Sequence, residues 1–330
     1  MMQSPVTPTI PLDQDGVNHG YLRLPHSRDD SAWGSVMIPF SVIQNGPGPT
    51  ALLTGGSHGD EYEGPIALQE LATTLQPGDI QGRVILVPAL NFPAFLAGAR
   101  TSPIDGGNMN RAFPGRPDGT ITEKIADFFQ REMLPLADVV LDIHSGGKSL
   151  DFVPFAAAHV LDDKAQQAAC VAAMRAFNAP YSVMLREMDN VGMYDTAAES
   201  MGKVFVTTEL GGGGSATARS IGIARKGLRN VLVHAGILAG EMRIEPTQPI
   251  EMPGDDCFVI CQNAGLFEPL VDLGASVSEG QPLARIWSVD RTGSAPVEIT
   301  SPRDGLTISR HFPGLVNPGD CAMVIGVKGK

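Results

Sequence analysis

The sequence predicts an α/β protein followed by a β-rich tail. Two observations carry this. From about residue 35 to residue 240, short apolar runs of strand type alternate with segments of helical spacing. After about residue 245 the helical spacing stops, and short strand runs alternate with turns. A third observation refines the first: several of the strand runs are apolar on both faces, as in central strands covered by helices.

The elements follow in chain order. The first 35 or so residues read as an irregular or β-rich lead-in. Strands are expected at SVMIPFSVI (35–43), TALLTGG (50–56), GRVILVPAL (82–90), DVVLDIHS (138–145) and KVFVTTELGG (203–212). Helices are expected at GPIALQELATTL (64–75), ITEKIADFFQREMLP (121–135) and DDKAQQAACVAAMRAFN (162–178). Residues 246–330 hold no convincing helix, and turns such as VSEGQP, SPRDG and VNPGD punctuate them. The sequence therefore divides into an α/β unit, residues 1–245, and a β-rich unit, residues 246–330. The second unit resembles the small barrel-sandwich of biotinyl and lipoyl carrier domains. Its connecting segment SVDRTGSAPVEIT has no lysine to modify, so a cap or an oligomerisation module is expected instead.

Bulk composition narrows the function. The chain has 330 residues, 43% apolar and 18% charged, with a formal net charge of -12. That is a globular composition, and its acidity argues against nucleic acid or an anionic membrane as partner. No run of about 18 apolar residues occurs, so no membrane span is expected. Cys170, Cys257, Cys261 and Cys321 form no CxxC pair and are expected to be reduced and mostly buried. With no signal-peptide pattern, a cytoplasmic location is expected.

The chemistry concentrates at strand ends. LLTGGSHGDEYEG places His58, Asp60, Glu61 and Glu63 within six residues, directly after an apolar run and two glycines. Open α/β sheets place their sites at this carboxyl edge. His58 and Glu61 are three apart, so a helical turn would bring both side chains to one face, and a nitrogen with a carboxylate oxygen suits zinc. DVVLDIHSGG ends at His144, the third candidate ligand. Three ligands leave a position open for water, as at a catalytic zinc. Asp142, two residues before His144 on the same strand face, is placed to orient it. VFVTTELGGGG ends at Glu209, the expected general base. Asp60 and Glu63 are read as supporting charges outside the ligand set, and His159, His234 and His311 as structural.

His58-Gly-Asp-Glu61, Asn110-Arg111, His144 and Glu209, in that order, resemble the succinylglutamate desuccinylase and aspartoacylase family, relatives of the zinc carboxypeptidases. The resemblance spans roughly residues 20–240 and implies an α/β/α sandwich with a mostly parallel or mixed sheet. It implies one zinc ion on His58, Glu61 and His144, with Glu209 as the catalytic base. It also implies that Asn110 and Arg111 hold a substrate carboxylate and that an upstream arginine polarises the scissile carbonyl. Arg100 is the candidate, although it stands ten residues before Asn110, further than in the aspartoacylase pattern. Over its whole length the chain looks most like the ectoine-catabolic deacetylases of that family, which act on N-acetyl-2,4-diaminobutyrate. The expected partner is thus a small N-acyl amino acid, with a homo-oligomer possible. Desuccinylase, aspartoacylase or peptidase activity remains open, as does a silent member that only binds a ligand.

Overall fold

The computed structural model describes residues 2–185 and 189–329. Its spine is one sheet of fifteen strands that runs from the N-terminal lead-in to the last strand of the chain. Across its middle the order is Ser35–Asn45, Gly82–Val87, Thr50–Gly55, Val139–His144, Val204–Glu209, Phe155–His159 and Tyr181–Leu185. Thr50–Gly55 lies parallel to both Gly82–Val87 and Val139–His144, and Val139–His144 lies parallel to Val204–Glu209. The three strands that end at the candidate residues are therefore adjacent, with their carboxyl ends on one edge. The lead-in is β-rich: Gly16–Pro25 pairs antiparallel with Ser35–Asn45.

Alternate residues of the central strands feed two cores, one on each face. Leu53, Leu141 and Val206 pack under the helices Glu63–Thr74, Lys164–Phe177 and Ala218–His234. Leu52, Val140 and Phe205 pack on the opposite face against Ile125, Phe128, Tyr194 and Ala198. This explains why the strand runs are apolar throughout: with helices on both faces, neither register can be polar. The result is the expected α/β/α sandwich with a mixed sheet.

The strands Phe155–His159 and Tyr181–Leu185 and the short helices Phe92–Ala97 and Tyr194–Ser200 have no counterpart in the expected elements, and two longer segments also depart from the expectation. The pattern at 121–135 is not one helix: Ile121–Phe128 is α-helical, Phe129–Met133 forms a π turn and Leu134–Leu136 a 3-10 turn. Pro135 explains the ending, since it has no N–H to donate and its ring would strike the carbonyl of residue 131 in a continued helix. The start is set by Thr120, whose hydroxyl and Glu123 cap one another's backbone N–H groups. The longest helix, Ala218–His234, was not expected at all. Its sequence is interrupted by Gly222 and Gly227, which weaken a helical reading. Gly227 has a packing reason: a Cβ there would fall 2.3 Å from Cε2 of Phe177 on the helix beneath.

Beyond residue 245 the chain is almost entirely strand. Gln248–Glu251 joins the large sheet parallel to Tyr181–Leu185, and Cys321–Lys328 and Gly305–His311 continue it antiparallel. A second, four-stranded sheet of Val297–Thr300, Pro282–Trp287, Gly265–Pro269 and Leu315–Val316 covers this extension. Phe267, Leu283, Ile286, Met323 and Ile325 fill the space between the two. The barrel in the expected barrel-sandwich does not form: among the described residues the two sheets stay open. The large sheet leaves toward the α/β part instead of closing on itself. Leu150–Phe152, just past His144, pairs with Gly305–His311, so the tail is tied to the loops at the carboxyl edge.

Candidate metal centre and active site

The sheet brings the strand-end residues together. Glu209 and His144 are register partners on adjacent parallel strands, and Gly55, one strand further, pairs with Ile143. Gly55 and Gly56 then turn the chain back, Gly56 with φ +61, so that His58 and Glu61 stand beside His144. The backbone here is packed too tightly for side chains: a Cβ on Gly59 would fall 2.0 Å from the carbonyl carbon of Ala94.

His58 and Glu61 meet, but not through a helical turn. The helix begins at Glu63, and Tyr62 before it sits at φ -114. Pro65 forbids an earlier start, because a helix running from His58 would need an N–H from Pro65 and would drive its ring into the Glu61 carbonyl. The pair converges through the loop instead, with His58 Nδ1 2.6 Å from Glu61 Oε1. On the other side of the same carboxylate, His144 Nδ1 lies 2.9 Å from Glu61 Oε2, which also accepts from the Ser145 N–H at 3.2 Å. All three side chains are buried.

The far nitrogen of each ring is already engaged. His144 Nε2 donates to Asp142 Oδ2 at 2.6 Å, and Asp142 is itself held by the hydroxyls of Thr54 at 2.6 Å and Ser57 at 2.9 Å. His58 Nε2 donates to Asn108 Oδ1 at 3.2 Å, and the same oxygen accepts from the Asn110 N–H at 3.1 Å. Both rings are thereby fixed as Nε2–H tautomers that turn a Nδ1 lone pair toward Glu61. Lone pairs facing a carboxylate at such distances repel unless a proton or a cation lies between them.

Electrostatics agree. Burial opposes ionisation of Glu61, but His58 and His144 outweigh it and hold its carboxyl well below the usual carboxylate range. Burial likewise opposes a charge on His144, and Asp142 and Glu61 outweigh it and push its pKa well above the ordinary imidazole value. The pocket thus demands positive charge. The donor set fits a divalent metal: one atom from each of His58, Glu61 and His144 can be chosen so that all lie within 4.8 Å of one another. Glu209 stands alongside, with Oε2 buried and without a hydrogen-bond partner, as a group waiting for water or substrate would be. Its burial, reinforced by Glu61, pushes its carboxyl up to about 8.

Arg100 reaches the centre. Its Nη1 lies 3.3 Å from His58 Nδ1 and 3.7 Å from Glu61 Oε1, while half of the side chain stays exposed. Asn110 is linked to the centre through Asn108, and its Oδ1 accepts from the Tyr194 N–H at 2.9 Å. Arg111 is exposed, and its guanidinium donates to the Asn110 carbonyl at 2.6 Å. The structure does not bring Arg111 against the three candidate ligands; it leaves that guanidinium at the rim. Asn108 was missed in the sequence, although it stands only two residues before Asn110. The amide that orients His58 has no strand end or spacing to mark it.

A family model for the succinylglutamate desuccinylase/aspartoacylase catalytic domain matches residues 47–235, more than half of the chain. The chain belongs to this family. The family model begins just before Thr50–Gly55 and ends just after Ala218–His234, so it encloses every candidate residue. A curated family relative, the N-alpha-acetyl-L-2,4-diaminobutyric acid deacetylase of Halomonas elongata, is 53% identical over 98% of this chain and 95% of its own length. Among solved structures, the product-bound ectoine utilization protein EutE (DoeB) of Ruegeria pomeroyi has a TM-score of 0.98. It is 69% identical, with 99% of this chain and all of that one covered. A succinylglutamate desuccinylase/aspartoacylase from Rhodobacter sphaeroides is 39% identical, with a TM-score of 0.94 and similar coverage.

Proposed function

We propose that the protein is a zinc-dependent deacetylase that hydrolyses N-acetyl-L-2,4-diaminobutyrate to acetate and L-2,4-diaminobutyrate. The convergence of His58, Glu61 and His144 on one point, beside a Glu209 oxygen with no partner, is the observation that carries the hydrolase reading. The near full-length likeness to relatives named for this substrate supports the narrower one.

His58, Glu61 and His144 would hold the zinc, which would supply Lewis acidity to acidify a water and polarise a carbonyl. The chain's own residues do the rest. With a cation beside it offsetting its burial and the repulsion from Glu61, Glu209 would be ionised, taking the proton of the attacking water and passing it to the leaving nitrogen. Arg100 offers N–H donors to the developing charge on the scissile oxygen. Asn110 and Arg111 bind the substrate carboxylate, the guanidinium gripping both oxygens with its planar fork. The exposed position of Arg111 suits a residue whose partner arrives with the substrate.

The tail favours a small substrate over a peptide. Phe312 from the β-rich part donates its N–H to the Ser149 carbonyl and packs where a Cβ on Gly213 would fall, 2.6 Å from its ring. The loops that follow His144 and Glu209 are thus walled by the tail, which narrows the approach. For the side chain, 36 acidic against 24 basic residues favour a cationic group over a second carboxylate. The four free cysteines suit a reducing cytoplasm.

Specificity constants of the zinc-loaded protein on acetyl-diaminobutyrate, acetylaspartate and succinylglutamate test the substrate. Preference for either dicarboxylic substrate overturns the diaminobutyrate reading and leaves a zinc deacylase. Metal analysis of His144→Ala tests the centre, and undiminished stoichiometric zinc would remove His144 from the ligand set.

A further inference from the structure

The turn after His144 contains a lysine that the mechanism does not use. Lys148 is exposed, yet its two ends are tied to two different loops of the active site. Its backbone N–H donates to Asp60 Oδ2 at 2.7 Å, inside the His58–Glu61 loop. Its ammonium donates to the Gly98 carbonyl at 2.5 Å, two residues before Arg100. The residue between, Ala99, is fixed from the other side, its carbonyl accepting from the Gly59 N–H at 2.9 Å. The two carbonyls immediately preceding Arg100 are therefore each anchored to a ligand-bearing loop, one through Lys148 and one through Gly59.

The surroundings keep this bridge in place. Asp60 is buried, and a Cβ on Gly147 would fall 2.6 Å from its Oδ2, so the residue before Lys148 must be small. Gly147 also has φ +52, and its carbonyl accepts from the Gly214 N–H at 2.6 Å. A Cβ on Gly214 would fall 2.6 Å from Lys148 Cγ, so the lysine stem lies directly over the loop that follows Glu209. Arg100 itself is half exposed, and its side-chain contacts at the centre are the long ones to His58 Nδ1, 3.3 Å, and Glu61 Oε1, 3.7 Å. Those contacts can form only if the backbone carries Arg100 to the centre, and that backbone is what the two anchored carbonyls fix.

We propose that Lys148 is a positioning residue. By bridging the post-His144 turn to Gly98, it sets the position of Arg100 over the candidate metal centre. The proposal rests on the role assigned above to Arg100 in the hydrolysis. A displacement of about 1 Å at a catalytic group costs on the order of a hundredfold in rate. Loss of the bridge should therefore lower kcat by about tenfold to a hundredfold. Lys148 forms no bond to the ligands or to Glu209, so zinc content and melting temperature should not change.

The experiment is a double-mutant cycle of Lys148→Met and Arg100→Ala in the zinc-loaded protein, with metal stoichiometry and melting temperature measured on each variant. The expected result is a fall in kcat with KM little changed in Lys148→Met. Partial recovery is expected in Lys148→Arg, which keeps a donor, and no further loss when Lys148→Met is added to Arg100→Ala. Normal turnover of Arg100→Ala would refute the role of the arginine and the proposal with it. A damaged Arg100→Ala with a normal Lys148→Met, or with fully additive losses, would overturn the proposal alone. Loss of zinc or a large fall in melting temperature in Lys148→Met would also overturn it, by showing a structural role.

Discussion

Asp142 is the residue on which the orientation of His144 depends, and the change Asp142→Asn isolates that contribution. Asp142 is buried and accepts from Thr54 Oγ1, Ser57 Oγ and His144 Nε2. An asparagine has nearly the same shape but only one acceptor oxygen. The hydroxyls of Thr54 and Ser57 rotate and can accept from the new amide, whereas the Nε2–H of His144 cannot. The amide oxygen should therefore turn to His144, keeping the ring in place and losing only the charge on its acceptor. A hydrogen bond to a charged group contributes about 1.5–3 kcal/mol, and a neutral one about 0.5–1.5 kcal/mol. The difference, about 1 to 2 kcal/mol, corresponds to roughly tenfold weaker metal binding at 1.4 kcal/mol per decade. That lies within the roughly tenfold to hundredfold seen for partners that orient ligand histidines. Competition of the metal-loaded protein against a chelator of known affinity, at fixed pH, measures it. An unchanged dissociation constant would refute the claim that Asp142 supports His144. A loss beyond about a thousandfold would mean that the ring no longer keeps its place.

Three further outcomes are expected. Glu209→Gln should keep its metal and lose about a hundredfold to ten-thousandfold in turnover; near-normal turnover would assign the proton transfers to another group. Arg111→Ala should raise KM about thirtyfold or more, the equivalent of about 2 kcal/mol, because the substrate carboxylate loses the charged partner it would be buried against, and unchanged binding would place the carboxylate elsewhere. Asp105 tests the scaffold. Burial opposes its ionisation, yet bonds from the N–H groups of Thr122 and Gly107 and from the Thr122 hydroxyl hold its pKa below the ordinary 3.8. The folded value is the lower one, so the stabilisation is present above the unfolded pKa and is lost as pH falls below 3.8 through the folded value. Asp105→Asn should thus melt below wild type near pH 7, and the gap should close in acid. A gap independent of pH would show that the charge contributes nothing.

The sequence by itself determined the layers and pointed to the place of the candidate site. Strands apolar on both faces can exist only between two helical layers, so the central runs and the three helical patterns led to the α/β/α sandwich. His58, His144 and Glu209 each follow such a run and precede glycines, and that placement is readable because strand ends and tight turns have local signatures. The tertiary structure decided what depends on partners distant in sequence. The helix Ala218–His234 was hidden because Gly227, poor for a helix alone, is required where Phe177 presses against it. The meeting of His58 with Glu61 was expected on a helical turn, but Pro65 moved the helix start and left a loop to bring them together. The sheets of the tail remain open because its strands extend the large sheet, and strand runs alone do not say which edges will pair. Asn108, Lys148 and the anchored carbonyls before Arg100 were illegible for the same reason. Each acts through a hydrogen bond across 40 or more positions of chain, and no local pattern of residues records such a bond.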